Sequence, residues 1–579
     1  MNKKDLILNI LLFISQIIVF YYFFCYLFPF KEQLQMFQFT SQYLTETLKQ
    51  AGGVAIYISE FLSQFYVVFW TGPIISALLL TLVALLSSLI LKKINSRNDL
   101  PLIFLLPWLS LLIISLDYDY YEQGTIAYLF LLLFLWLYTN IKTRIKFIYG
   151  ICIIPILYGI AGPIVHLFAI SALFFEFLTN GKKKYISIIY LLIAALSAIA
   201  GTYLGYSRNL TLAFLPEAYC NPLQTVSGIY YAWYALPMTM LLVAYLKRYK
   251  EPVSLKGKCI WEGAQWAIMF LLVYQGIFHF GKLDAQHSMK QDYLLRTEQW
   301  DLVISEFNHD VLSKRRMCGL NLALAHKGQL SERLLDYPQH GIETLMLHWD
   351  QSIYTAQLHS DLYYCMGIIS AAQKFAFEAF VSSRSSGNPR MLKRLIETNL
   401  ITGSYPIADK YIQLLEKTWY YKDWATAHRR FLYNDKAVEE DKILGMKRRC
   451  WKAEASAAKL YTDPVSSLIN LLPACPDNKA GLAYLTSFLL LNKDIETYKT
   501  LQESLYRSPA WRDMTECQQE AIVICSPNDP HFWLVRNRAI AFMQKVQDIS
   551  RSGQNPAVAL ASEYGKTYWY YYMFNMMDK

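Results

Sequence analysis

Charge is scarce in this sequence of 579 residues. Asp, Glu, Lys and Arg together make up 17%, where a soluble chain carries about 25%. With 54% hydrophobic residues, that deficit excludes a disordered chain and a purely soluble enzyme. Paired metal or redox motifs are missing too. The ten cysteines stand singly, with no C-x-x-C and no histidine at ligand spacing, which argues against a structural zinc site and a disulfide-stapled mini-protein. A Walker loop, a dinucleotide fingerprint after a strand, a G-x-S-x-G elbow and an H-E-x-x-H helix are equally lacking, so the common soluble-enzyme signatures do not apply.

What is present is apolar sequence in long blocks. A helix needs about 20 mostly apolar residues to cross a bilayer core, and nine stretches approach that length: 5–29, 68–91, 101–116, 125–140, 145–160, 163–179, 185–205, 229–246 and 261–281. Backbone groups cannot stay unpaired in lipid, so these stretches are expected to be helices. The first is longer than the apolar core of a signal peptide and reaches Pro29 without a small-x-small cleavage site, which predicts a retained helix. Lys3-Lys4, Lys92-Lys93 with Arg97, Lys142-Arg144-Lys146, Lys182-Lys183-Lys184 and Lys247-Arg248-Lys250 fall on alternate loops. The positive-inside rule then places the N-terminus in the cytoplasm and residues beyond 283 outside. The net charge of +10 follows from those loops facing anionic lipid and calls for no nucleic-acid partner.

From Asp284 the pattern changes to amphipathic helical segments broken by Gly, Asn, Asp or Pro. Residues 321–335, 392–415 and 480–501 each read as a helix, a tight turn and a second helix, the design of a tetratricopeptide-like repeat. The predicted fold is therefore all-α: a polytopic transmembrane helical bundle of about nine spans over residues 1–283, then a TPR-like α-solenoid over 284–579, outside the cytoplasmic membrane of a bacterium. Such a solenoid would offer a groove to an envelope protein or peptide. The aromatic tail, 563–574, is expected to pack on the protein's own surface or to lie at the level of lipid headgroups. If the outer half meets an oxidising compartment, some cysteines can pair, Cys517 and Cys525 being the nearest in sequence.

Candidate chemistry falls on acidic residues at the outer helix ends. Asp117, Asp119 and Glu122 crowd one short loop, a grouping that can hold a divalent cation through Asp117 and Asp119 or supply a general base; the plain alternative is an outward loop that needs polar residues. Glu32 follows the first span, and 57–65 has the pattern of a helix lying in the interface. His166 is an ionisable group inside an apolar stretch, a position that usually faces a cavity. Arg208 can pair with a phosphate or anchor at the headgroups.

This order of features resembles the GT-C superfamily of membrane glycosyltransferases: an interfacial helix in the first outer loop, an acidic residue after the first span, a second acidic motif between the third and fourth, and an outer C-terminal domain. Some relatives, the TPR-bearing protein O-mannosyltransferases, carry a solenoid there. The resemblance implies a polyprenyl-phosphate sugar as donor, with Glu32 as base and Asp117 and Asp119 as the second acidic site, aided by His166, Arg208 and Glu122. The first outer loop departs from that family in having no Asp. The chain is also similar to uncharacterised multi-pass bacterial membrane proteins with TPR-like C-termini, which leaves a non-catalytic, membrane-anchored scaffold as the alternative. A transporter is less favoured, because the spans show no internal symmetry and few midplane charges.

Overall fold

The structure, a computed structural model, describes all residues except 1–2, 98–99, 101, 180–186, 222–225, 227, 250–253, 308–312, 384–386, 457–462, 506–513 and 576–579. The expected basic cluster Lys182-Lys183-Lys184 and Lys250 lie outside the described residues. Among the described residues the regular elements are helices, with one isolated antiparallel bridge, Tyr120 to Cys220. It divides into two compact units, Met1–Met289 and Lys290–Lys579.

The first unit contains α1 (Lys3–Phe23), α2 (Leu27–Glu32), α3 (Ser41–Leu48), α4 (Gly53–Ser63), α5 (Thr71–Ile94), α6 (Leu106–Ser115), α7 (Glu122–Asn140), α8 (Thr143–Ala161), α9 (Val165–Thr179), α10 (Ile188–Tyr203), α11 (Leu210–Phe214), α12 (Gly228–Leu246) and α13 (Leu255–Phe280). The helix α14 (Leu283–Arg296) carries the chain across the division between units.

The nine expected spans reduce to fewer. Among the described residues five helical stretches are long and apolar enough to cross a membrane: Leu6–Phe23, Thr71–Ile94, Glu122–Asn140, Ile145–Thr179 and Gly228–Leu246. A sixth arises if α13 and α14, bent by 56°, count as one span. The loss has three sources. The stretches 101–116 and 185–205 form the shorter apolar helices Ile103–Ser115 and Ile188–Tyr203, and the stretches 145–160 and 163–179 merge. Gly162 explains the merged pair: its φ of +82° is accessible to glycine, and with Pro163 it interrupts α8 and α9 by a single 3-10 turn without ending the apolar run. Pro155 and Pro237 sit inside α8 and α12, as membrane helices tolerate. Large apolar side chains such as Ile7, Leu11, Ile14, Ile18, Phe270 and Phe278 are exposed. Water would not support such a surface and lipid does.

In the second unit the three anticipated hairpins are present: Lys314–His326 with Leu330–Arg333, Pro389–Thr402 with Tyr405–Leu415, and Lys479–Leu491 with Ile495–Leu505. Asn388 caps the start of Pro389–Thr402 by accepting from the Met391 N–H at 3.2 Å, and Gly403 ends that helix in the left-handed conformation. The solenoid is not established. In a one-dimensional stack each repeat touches its neighbours, whereas Lys314–His326, Leu330–Arg333 and Ile353–Met366 all pack on Lys479–Leu491, and Leu330–Arg333 also meets Glu516–Cys525. Distant helices thus close on one another.

The aromatic tail forms the helix Tyr568–Phe574 and docks on the protein's own surface. The Tyr568 N–H donates to Glu520 Oε2 at 2.7 Å, the Trp569 indole N–H to the Glu520 carbonyl at 3.1 Å, and the Tyr571 hydroxyl to the Leu491 carbonyl at 2.9 Å. Burial pushes the Glu520 carboxyl up to about 7, against the opposing pull of the Tyr568 N–H and Arg538. A carboxyl whose folded pKa is raised binds its proton more tightly in the native state, so stability is highest at low pH and is lost as pH rises through about 5 to 7. Thermal melts are expected to show about 3 kcal/mol of stability lost from the second unit between about pH 5 and 8. Glu520→Gln should flatten that slope, and an unchanged slope would remove Glu520 as its source.

Candidate functional site

The acidic loop 117–121 is fixed from two sides. Asp119 N–H donates to Asp117 Oδ1 at 2.9 Å, a local turn that aspartate favours. Backbone pairing then ties the loop to residues 219–221: Tyr121 N–H donates to the Tyr219 carbonyl at 3.0 Å and Asn221 N–H to the Asp119 carbonyl at 2.8 Å. The Asn221 amide also donates to Asp119 Oδ1 at 3.0 Å. Asp117 and Asp119 are consequently buried at 5% and 0% exposure.

Both aspartates face an ammonium. Lys282 lies in the break between α13 and α14 with a φ of +42°, and its Nζ reaches Asp117 Oδ1 at 2.9 Å and Asp119 Oδ2 at 3.1 Å. The same group sits 4.3 Å from the centre of the Tyr118 ring. Lys282 supplies there the positive charge expected of a divalent cation at Asp117 and Asp119. Among the described residues no group of three or more His, Cys, Asp or Glu side chains is placed to hold a metal ion.

A second lysine is buried nearby. Lys31, in α2, donates to the Ser115 carbonyl at 2.9 Å and lies 5.9 Å from the Tyr120 ring centre. Burial lowers its pKa, while the charges of Glu122, Asp117 and Asp119 oppose that fall. Glu122 opens α7; it accepts from Ser76 Oγ at 3.5 Å, and its Oε1 has no hydrogen-bond partner among the described residues. Gly124 permits this packing, since a Cβ there would stand 2.5 Å from the Tyr120 hydroxyl. Glu32, also buried, accepts from the Gln33 side-chain amide. Glu60 of α4 accepts from the Tyr43 hydroxyl of α3.

The other two candidates make different contacts. The His166 ring stacks on Phe214 with centroids 4.8 Å apart, and its Nε2 has no hydrogen-bond partner among the described residues. Arg208 is exposed in the connection between α10 and α11. Lys31 and Lys282 were not among the anticipated residues. Lys282 carries a legible signal, a lone cation directly after the last apolar run, while Lys31 stands beside Glu32 in a helix too short to show periodicity.

An apolar cavity of about 250 Å³ adjoins this centre. It lies between α1, α6 and α13, lined by Leu12, Val19, Trp108, Leu112, Trp266 and Val273 among others. Leu116 and Ile277 also line it. Leu116 directly precedes Asp117, and the Ile277 carbonyl accepts from the Gly281 N–H at 2.8 Å beside Lys282.

Basic groups meet elsewhere in the unit. Arg97 donates to the Leu246 and Tyr249 carbonyls at 3.0 and 2.6 Å, Lys93 to the Thr139 carbonyl at 3.3 Å, and Lys146 pairs with Glu176 at 2.6 Å.

A family assignment covers this whole arrangement. The chain belongs to a family of unknown function, DUF6057. The family's model matches residues 2–575, so it takes in both units. No curated protein and no solved structure matches the chain. The glycosyltransferase and TPR resemblances gain no support from these comparisons.

Proposed function

We propose that the membrane unit binds a polyprenyl-phosphate-linked sugar and transfers the sugar in the manner of a GT-C glycosyltransferase. The observation that carries this reading is the apolar cavity between α1, α6 and α13, which adjoins the buried charged centre at Leu116 and Ile277. An amphipathic lipid fits both parts: its chain against Trp108, Trp266 and Val273, its phosphate at Lys282. Lys282 is the most accessible charged member, its side chain 35% exposed. A phosphate drawing that ammonium away releases Asp117, which then takes the proton of an acceptor hydroxyl. The hydroxyl oxygen bonds to the sugar, the bond from sugar to phosphate breaks, and Lys282 balances the charge left on the phosphate.

The contacts also support an orientation that does not depend on counting spans. Arg97 reaches the end of α12, and Lys93 and Lys146 reach Thr139 and the Tyr138 ring at the end of α7, favouring that side as cytoplasmic. The end of α13 instead reaches Asp117 and Asp119 through Lys282, so the chain beyond it leaves from the acidic, outer side of a bacterial inner membrane.

The test is transfer from a radiolabelled polyprenyl-phosphate sugar in membranes containing the full chain. Asp117→Asn is expected to abolish transfer at unchanged protein abundance, and Glu32→Gln to reduce it. Full transfer by both variants would overturn the reading. Lipid binding without transfer by the unaltered chain would favour the non-catalytic scaffold.

A further inference from the structure

Cys450 lies in the helix Lys442–Ser456, and Cys475 closes the 3-10 turn Leu472–Ala474. They are far apart in sequence, yet the helix Lys442–Ser456 packs on that turn: both cysteines are buried, at 0% and 4% exposure, the Cys450 thiol donates to Met446 Sδ at 3.9 Å, and each thiol perturbs the ionisation of the other. The surrounding segments are locked in that register. Arg449, next to Cys450, pairs with Asp477 at 2.7 Å. Asn478 donates to the Met366 carbonyl at 2.7 Å. Gly367, at a φ of +87°, leaves room for both, since a Cβ there would stand 3.2 Å from Cys450 Sγ and 2.7 Å from the Asn478 amide. A buried ammonium completes the group: Lys447 Nζ donates to the Cys365 carbonyl at 2.9 Å, and its charge acts on Cys365, Cys450 and Cys475. A nearby cation favours the thiolate needed for exchange, although burial still raises Cys365 and contact with Cys475 and burial still raise Cys450, leaving Cys475 as the lowered member.

We propose that Cys450 and Cys475 are a disulfide-forming pair that staples the helix Lys442–Ser456 to the turn before Lys479–Leu491. The oxidant is a small-molecule or protein disulfide. The Cys475 thiolate attacks one of its sulfurs, forming a mixed disulfide and releasing one thiol. The Cys450 thiolate then attacks Cys475 Sγ, closing the bond and releasing the second thiol. Two protons and two electrons pass from the cysteine pair to the oxidant, which is reduced to two thiols. The neighbouring Cys450 thiol holds Cys475 below its ordinary pKa while Cys450 itself is pushed up, which suits Cys475 to attack first. Burial of both sulfurs means that the bond forms as the chain folds or opens locally, and is shielded from reductants afterwards.

The pairing nearest in sequence is unavailable. Cys517 and Cys525 sit on the single helix Glu516–Cys525, where eight residues of rise separate them by about 12 Å, beyond the roughly 7 Å that a disulfide spans.

In the cell the bond requires an oxidising compartment, so that half of the proposal rests on the outward orientation given above. The full chain is alkylated in intact cells, purified in detergent and digested without reduction. The expected product is a Cys450–Cys475 peptide lighter by two hydrogens than its parts, which disappears on reduction and in Cys475→Ser and persists in Cys365→Ser. A parallel sample is reduced and exposed to glutathione disulfide. A link formed there but absent from cells upholds the pair and overturns the orientation. No Cys450–Cys475 link in either sample, or Cys365 linked as readily as Cys450, overturns the pair. Should Cys475→Ser fail to accumulate, Cys450→Ser reads the same loss.

Discussion

Asp361→Asn is expected to lower the stability of the second unit by about 3–5 kcal/mol, the range for removing one partner of a buried ion pair. Asp361, in the helix Ile353–Met366, is shared by two guanidinium groups: Arg390 Nη2 lies 2.5 Å from Oδ2 and Arg394 Nη2 lies 3.0 Å from Oδ1. Arg390 also reaches Asp292 at 2.7 Å, and Arg394 reaches Glu397 at 2.8 Å while lying 3.5 Å from the Tyr364 ring centre. These three side chains are 12–18% exposed, so solvent screens them weakly. Burial alone would raise the Asp361 carboxyl; Arg390 and Arg394 outweigh it and hold the group below the usual carboxylate range. The stability from that depression is present above the ordinary carboxylate pKa and is lost as the pH falls through the lowered value. The amide cannot balance two positive charges, so both arginines are left under-compensated. Thermal melts of the detergent-solubilised chain measure the loss, and adding Arg390→Met should recover part of it. A change below about 0.5 kcal/mol would class the network with exposed pairs.

The parts of this fold that were legible in the sequence are those set by local pattern. The helices Pro389–Thr402 and Tyr405–Leu415 follow from apolar spacing and from glycine at 403. The acidic loop announces itself because Asp117, Asp119 and Glu122 are close in the chain, and the structure does bring them around one buried centre. Contacts between distant segments leave no periodic trace. Nothing in 31 or 282 says that two lysines converge on 117–122, and nothing in 330 says that it meets 479–491. Gly162-Pro163 shows the opposite failure, where a strong local signal for a helix end proved to be a brief interruption in one long apolar stretch. His166 drew notice by its charge in an apolar run, yet its ring packs on Phe214. The cysteines make the same point, since proximity in sequence suggested Cys517 and Cys525 while folding brings together the segments that carry Cys450 and Cys475.

Lys282→Met is expected to have a comparable effect in the membrane unit and, unlike Asp361→Asn, to act on function as well. It removes the ammonium from two carboxylates that are 6% and 0% exposed. Asp119 keeps the Asn221 amide and Asp117 keeps the Asp119 N–H, but neither neutral donor replaces a positive charge. The cost is about 3 kcal/mol, the low end for a broken buried pair, because the lysine itself is 35% exposed. Lys282→Met with Asp119→Asn should be more stable than Lys282→Met alone, since the second change removes one stranded charge. Binding separates the structural role from the functional one. If Lys282 meets the phosphate, its loss removes a charge-assisted hydrogen bond worth about 1.5–3 kcal/mol, a roughly ten- to hundredfold weaker affinity for a long-chain polyprenyl phosphate in nanodiscs. Lys282→Arg should retain most of that affinity because it keeps a cation at the α13–α14 break. Lys282→Met that melts early yet binds the lipid normally would confine Lys282 to holding the loop 117–121, and would move the search for the phosphate contact to Lys31.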